Sequence, residues 1–454
     1  MSGNGEPVTA DVAIVGGGFS GTMVAAQLAR RGLTSVIIEK AGQAGRGTAF
    51  STREPSHLLN VRAGRMSAWP DRPGDFVAWL EDKAAGGAVG RDGFAQRRDF
   101  GTYLRAILDE AMAGGLVRLI DGEAIAARRD GDGWRVSLSD GATVVAKALA
   151  LANGNQPPDA LRLPGLNDSA PLISDPWNAA GRERIAAAAT AQAPVLIVGT
   201  GLTMLDLVQT LDAAGHDAPV TAVSRRGLLH HPHSERAEAA IEAEDVPAGL
   251  MPLWRWLRGK VAAGDDWRER IDSLRPLSVP LWRGLSEAEQ RRFMRHARPW
   301  WDVHRHRIAP AVAEQVEQRM ARGKLEVIAG RIRSAEAAGE GLRVTIARRG
   351  RSTGSGQAGG EAVRAVGLAI NATGPLHALV KTRDPLLRQL LDERLVAPDR
   401  LGIGVDCEDG DAARGTERLW VLGPLTKARR WEIIAVPDIS GQAEAVAEAI
   451  CRTL

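Results

Sequence analysis

The chain has 454 residues, with 58 Lys and Arg against 55 Asp and Glu, a formal net charge of +3. At roughly 150 residues per domain it should form two or three domains, each able to bury a core without disulfide staples. Only two cysteines occur, Cys407 and Cys451, which speaks against a disulfide scaffold, a cysteine-based zinc site and a Cys-x-x-Cys redox centre. Nearly balanced charge argues against a nucleic-acid partner. No apolar run reaches the roughly 18–20 residues of a membrane span, and the polar start lacks the pattern of a secretory signal. A cytoplasmic protein acting on a small molecule is the expectation, with homo-oligomerisation left open.

Asp11 to Val15 reads as a short buried strand running into Gly16-Gly17-Gly18-Phe19-Ser20-Gly21. A helix follows over Thr22 to Arg31, closed by Gly32, and then an apolar strand over Ser35 to Ile38 ends in Glu39-Lys40. This is strand, Gly-x-Gly-x-x-Gly turn, helix and strand, with an acid 18 residues after the last glycine. In that context Gly16 permits the tight turn, Gly18 lets backbone approach a diphosphate and Gly21 lets helix and strand pack closely. Phe19 and Ser20 open the helix, whose free N–H groups favour an anion. Glu39 is placed to accept from ribose hydroxyls, with Lys40 beside it. A second glycine-rich loop, Gly45-Arg46-Gly47-Thr48, points to FAD rather than NAD at this turn. Segments 119–128, 133–138 and 142–152 then read as a meander of strands.

The pattern repeats, and the repeat is the most informative feature of the sequence. Pro194 to Val198 runs into Gly199-Thr200-Gly201-Leu202-Thr203-Met204, with a further strand over Val220 to Val223. Met204 stands where a third glycine or alanine is usual, which should hold the helix off the strand. The strand is followed by Ser224-Arg225-Arg226-Gly227 rather than an acid, so this second turn should prefer the 2′-phosphate of NADPH. Residues 251–310 hold six of the twelve Trp and twelve Arg at helical spacing. Three readings of this insertion stay open: a substrate cap, a partner surface, or a small helical core. Its histidines at 304 and 306 point apart on a helix, so no metal is expected. A second meander over 325–335, 342–347 and 363–370 flanks a Gly/Ser tract, Gly354 to Gly360, expected as a hairpin tip. A last strand from Leu419 leads to Gly423-Pro424, and a helix is expected from about Ile439.

The stretches Gly47 to Ser51, His57 to Val61, Arg65 to Ala68, Gly199 to Thr203, Trp301 to Arg307 and Gly423-Pro424 resemble the bacterial FAD/NAD(P)-binding-domain flavoproteins. More distantly the chain is similar to flavin N-hydroxylases and other two-dinucleotide-domain flavoproteins. The resemblance implies an α/β fold of two Rossmann-like domains, with the FAD domain discontinuous and a helical insertion in the second. The corresponding boundaries are 1–185 and 363–454 for the FAD domain and 186–362 for the NAD(P) domain, with the insertion at about 235–322. It implies FAD and a nicotinamide donor, which the Arg225-Arg226 turn makes NADPH, and it places Asn60 and Met66 near the flavin, with core packing an equal reading of Met66. His57, Asn60 and Arg305 are the candidates for catalytic roles. The implied activity is hydride transfer from NADPH through FAD to an unknown acceptor, with O2 in a monooxygenase reaction as the leading case. The alternatives are an NAD(P)H:small-acceptor oxidoreductase and a slow-turnover redox sensor or scaffold.

Overall fold

The computed structural model describes residues 6–40, 42–83, 89–167, 170–234, 246–350 and 360–454. Two seven-stranded sheets organise the chain. The first contains β1 (Val8–Val15), β2 (Ser35–Glu39), β3 (Val117–Asp121), β4 (Ala124–Asp130), β5 (Gly133–Leu138) and β6 (Thr143–Leu151) in the order β3-β2-β1-β6-β5-β4. The second contains β7 (Leu172–Ile173), β8 (Val195–Val198), β9 (Val220–Ser224), β10 (Leu325–Ala338), β11 (Gly341–Arg348), β12 (Glu361–Val366) and β13 (Leu368–Asn371), in the order β12-β11-β10-β9-β8-β13-β7. Finally β14 (Leu419–Val421) returns to the first sheet and pairs in parallel with Leu149–Leu151 of β6.

The burial patterns follow from these neighbours. β2 is buried at every position, as expected of a parallel strand covered on both faces. β6 changes character along its length: Thr143 to Lys147 alternate between buried and partly or fully exposed beside the antiparallel β5, whereas Ala148 to Leu151 are all buried between β1 and β14. One face of the first sheet carries the Phe19–Ala29, Arg97–Ala113 and Val436–Thr453 helices, and on the other the Pro385–Asp392 helix shares a core with residues of β1, β2, β4, β5 and β6. β10 serves two pairings in one strand. Leu325–Ala329 run parallel to β9, and Gly330–Ala338 run antiparallel to β11, with a register shift between Ile332 and Ser334.

The second sheet has a wider reach than residues 186–362. β7 already joins the second sheet at Leu172, and β12 and β13 keep the chain there as far as Asn371, so the second unit extends beyond 186–362 at both ends. Two residues are too short a strand to show periodicity, and β13 reads in sequence as the end of a meander because Gly367 alone separates it from β12. The insertion is shorter than expected. The Pro310–Ala321 helix packs through Val312 and Val316 on the second sheet as an ordinary crossover helix. The irregular helices therefore end at Arg305. The start of the expected insertion, 235–245, and residues 354–359 of the Gly/Ser tract lie outside the described residues.

Candidate functional site

Both glycine turns sit at the C-terminal ends of central parallel strands, where α/β sheets place their ligands. At the first, Gly16 has φ +102°, and a Cβ there would lie 2.3 Å from the Ala152 carbonyl oxygen. A Cβ on Gly21 would lie 1.9 Å from the Gly16 oxygen, so strand, turn and helix fit only with hydrogen at both positions. Gly18 is different. It caps the Phe19–Ala29 helix with φ −73°, and a Cβ there would meet only Gly47 Cα, at 3.5 Å. Gly45 N–H donates to the Gly17 carbonyl at 2.8 Å, which folds the second glycine-rich loop over the first turn. Glu39 accepts from Gly17 N–H at 2.7 Å. Gly423, with φ +66°, approaches from the last strand, where a Cβ would stand 2.9 Å from Ser20 Oγ. Gln442 of the C-terminal helix holds this corner by accepting from Gly423 N–H at 2.8 Å and donating to Thr426 Oγ1 at 3.1 Å. Pro424 lies in the first turn of the short helix that starts at Gly423. The structure thus brings Gly16, Gly18, Phe19, Ser20, Gly21, Glu39, Gly47, Gly423 and Pro424 to one corner, a cradle that a diphosphate fits because a Cβ would fill it. Lys40 points elsewhere, to Glu123 at 3.1 Å, and Thr48 is an exposed residue of the short Gly47–Phe50 helix.

The second turn repeats the first. Gly199 has φ +122° and would place a Cβ 2.2 Å from the Ala372 oxygen, while the nearest atom to a Cβ on Gly201 is His230 Nε2 at 4.0 Å. Leu202 and Thr203 begin the Leu202–Ala213 helix. Met204 occupies the position of Gly21 and is fully buried in the second core, so this helix cannot approach its turn as closely as the first one does. The turn after β9 is stiffened by Ser224, whose Oγ lies 2.9 Å from Thr200 Oγ1 and accepts from Gly227 N–H at 3.0 Å. Arg225 and Arg226 stand there with Arg349, which the end of β11 contributes. Burial and the repulsion of Arg225 and Arg349 hold the Arg226 guanidinium below its ordinary range. Among the described residues none of the three has a carboxylate partner. Sequence reasoning missed Arg349, because only the sheet order brings it to this turn.

His57 and Met66 are not beside an open site. His57 is buried, with Nδ1 2.8 Å from Thr52 Oγ1 and Nε2 3.0 Å from both the Asp206 carbonyl and Thr210 Oγ1. Burial lowers its pKa. Next to it Arg97 donates to the buried Asp206 carboxylate at 2.7 Å, so Asp206 answers a cation of the first unit. These contacts fasten the first unit to the second. Met66 is a residue of the first core.

Asn60 and Arg305 do meet an open space, a cavity of about 290 Å3 between the two units. Among the described residues its wall carries Arg62, Arg65, Arg91, Arg275, Arg305 and Arg307, with Asp92 and Asp272. Leu202 of the second glycine turn reaches it, as do Ile434 and Ala435 at the start of the C-terminal helix. The insertion builds one wall. Trp282 stacks on Trp431 at 4.5 Å and donates to the Ala428 carbonyl at 2.8 Å, and Trp301 and Arg305 both bond Glu432, Arg305 at 3.0 Å. The insertion is therefore a small helical core on one side and a cavity wall on the other, with Trp282 serving the first and Arg305 the second.

Behind this wall lies a cluster that sequence reasoning did not single out. Arg298 reaches Asp302 at 3.2 Å and His377 at 3.3 Å, and Lys427 donates to Asn155 at 3.3 Å. Burial pushes Asp302 up to about 6, against the pull of Arg298. Burial and the nearby Arg298 bring Lys427 down to about 8 and His377 to about 4. His230 is likewise lowered to about 4 by burial. Among the described residues no group of His, Cys, Asp or Glu is placed to hold a metal ion, and no helix is long and apolar enough to cross a membrane.

Residues 13–156 match the family described as FAD-NAD(P)-binding. This segment is a FAD-NAD(P)-binding domain. No curated protein matches the chain in sequence. Among solved structures it is similar to a Kutzneria ornithine N-hydroxylase, with TM-score 0.64 and 17% identity over 98% of this chain and 99% of that one. The ornithine hydroxylase PvdA of Pseudomonas aeruginosa gives 0.63 and 16%, over 98% and 100%. A bacillithiol disulfide reductase of Bacillus cereus gives 0.54 and 13%, over 98% and 99%. The fold of the chain is that of two-dinucleotide-domain flavoproteins, shared by flavin monooxygenases and reductases.

Proposed function

We propose that the protein is a FAD-dependent oxidoreductase that takes hydride from NADPH and delivers reducing equivalents to a small acceptor in the arginine-lined cavity. The observation that carries the choice of donor is the trio Arg225, Arg226 and Arg349 at the end of β9. Guanidiniums without carboxylate partners suit a 2′-phosphate, and an acid there would repel it. FAD, when bound, accepts a hydride and passes its electrons on one or two at a time. The chain's own work is to hold and shield. Gly16, Gly18 and Gly47 leave room for the FAD diphosphate, and Glu39 takes the ribose hydroxyls in place of Gly17 N–H. Gly199, Gly201, Leu202 and Thr203 receive the NADPH diphosphate, and the N-terminus of the Val436–Thr453 helix favours negative charge at the cavity. Asn60 and Arg305 bound the space where the acceptor meets the cofactors.

Within this class we favour a monooxygenase over a disulfide reductase. Cys407 is buried with its thiol pushed up to about 12, and Cys451 lies far away on the C-terminal helix, so there is no dithiol to relay electrons. Ornithine, named for two of the similar structures, is a poor candidate here, because its side-chain ammonium would face the arginines. The donor assignment is tested by anaerobic bleaching of the flavin absorbance. Wild type should be reduced faster by NADPH than by NADH. Arg226→Ala with Arg349→Ala should raise the NADPH concentration for half-maximal rate at least about tenfold, at about 1.5–3 kcal/mol per charge-assisted bond, and leave NADH nearly unchanged. A wild-type preference for NADH would refute the reading.

A further inference from the structure

We propose that the cavity between the two units binds a small organic dianion, a compound carrying two carboxylates or a phosphate on a short carbon skeleton. This rests on the reading above that the cavity holds the acceptor, and it adds the acceptor's chemical class.

Charge carries the inference. The arginines come from four separate segments: Arg62 and Arg65 after the first unit's second loop, Arg91, Arg275 in the insertion, and Arg305 and Arg307 at its end. Asp92 and Asp272 line the same space, and Glu432 and Asp438 reach Arg305 and Arg275 from just outside it. Asp272, Glu432 and Asp438 thus answer three of the six guanidiniums, Arg307, Arg305 and Arg275. The partners also differ in quality. Arg307 is tied to Asp272 at 2.5 Å and Arg305 to Glu432 at 3.0 Å, whereas Arg275 reaches Asp438 only at 3.5 Å. Among the described residues Arg65 and Arg91 have no carboxylate partner. Arg275, largely buried, is pulled below its ordinary range by burial and by the charges of Arg305 and Arg65. Arg275 is thus held beside two further guanidiniums, Arg305 and the exposed Arg65. Such an arrangement is costly unless an anion completes it.

Shape limits the ligand. About 290 Å3 is at the small end of ligand cavities. Ile434 and Ala435 offer a short apolar floor between the charged walls, suited to a few methylene groups. Arg62 is held by the carbonyls of Asp92 and Ser234 and lies 5.2 Å from the Phe94 ring, so the near wall is prearranged. Prearranged donors lose less entropy on binding than free surface arginines do.

The test is calorimetry on the full-length, FAD-loaded protein at constant ionic strength. The probes are succinate, 2-oxoglutarate, 3-phosphoglycerate and the neutral isostere succinamide, each with and without saturating NADP+. At least one dianion should bind at sub-millimolar concentration with and without NADP+, and succinamide should not. Preference for succinate or 2-oxoglutarate assigns carboxylates; preference for 3-phosphoglycerate assigns a phosphate. Arg275→Gln should weaken that dianion at least tenfold, as should Arg65→Gln. FAD content and the thermal unfolding midpoint, read alongside, identify any loss due to misfolding, and Arg65 is exposed enough that its variant should show none. Failure of every dianion to bind, equal binding of succinamide, or complete displacement by NADP+ would overturn the proposal. The last outcome would give the arginines to the dinucleotide's phosphates. Because binding is read without turnover, a protein that NADPH fails to reduce would refute the donor assignment and leave this measurement intact.

Discussion

Two glycines of one turn should respond in opposite ways to the same methyl group. At Gly21 the added Cβ would fall 1.9 Å from the Gly16 carbonyl oxygen, a backbone atom fixed by the helix on one side and β1 on the other. Neither can yield locally, so Gly21→Ala must push the helix off the sheet. Overpacking of this kind costs about 1–3 kcal/mol, and here the upper end applies because backbone meets backbone. At Gly18 the Cβ would have one neighbour, Gly47 Cα at 3.5 Å, which is ordinary contact, and φ of −73° suits alanine. Gly18→Ala should therefore leave the apoprotein as stable as wild type, or more so by about 0.4–1 kcal/mol through a less flexible unfolded chain. Its methyl group instead occupies the approach of a diphosphate. The same 1–3 kcal/mol charged to the complex predicts about 5- to 150-fold weaker FAD, and Gly18→Val should purify without it. The assays are the ratio of flavin to protein absorbance, titration of apoprotein with FAD followed by flavin fluorescence, and thermal unfolding of each apoprotein. Full FAD occupancy in Gly18→Val would refute the placement of the cofactor. A Gly21→Ala apoprotein indistinguishable in stability from wild type would refute the packing argument.

Arg97→Met should destabilise the protein by about 3 kcal/mol, since it strands the buried Asp206 carboxylate. Adding Asp206→Leu should recover most of that loss in denaturant unfolding, and no recovery would show that Arg97 acts through something other than the pair. Acid should weaken the fold before the carboxylates titrate. His230 and His377 sit at about 4 in the folded protein against an ordinary 6.5, so the unfolded chain takes up protons first as pH falls through 6.5. Each should remove about 1–2 kcal/mol between pH 6.5 and 4, while Asp302, raised to about 6, partly offsets the loss over the lower part of that range. His377→Gln should flatten the pH dependence of the unfolding midpoint, and an unchanged slope would argue against a buried neutral imidazole.

Much of this protein was legible before any fold was known, for a definite reason. A dinucleotide turn is a local device: strand period, glycine spacing, helix start and terminal acid all fall within about thirty residues, so Gly16 to Glu39 and Gly199 to Arg226 can be read from sequence neighbours alone. The two meanders were legible only in part: the segment 119–128 is two strands, β3 parallel to β2 and then β4, and 363–370 is divided between β12 and the parallel β13. The contacts of His57 and Met66 were not, because both depend on what lies opposite. One faces the Leu202–Ala213 helix of the other unit and the other faces the first core. Likewise the two-residue β7 and the outer bounds of the second sheet emerge only from pairing with β13. Arg349 joins Arg225 and Arg226 only because β11 ends beside β9's turn, on the far side of β10. The cavity is the extreme case. Its six arginines span Arg62 to Arg307, and no pattern along the chain links them. Local sequence sets torsion angles, hydrogen-bond donors and periodicity, and these sufficed for the two turns. The summed charge of a cavity depends on which distant side chains share one desolvated space, and only tertiary packing decides that.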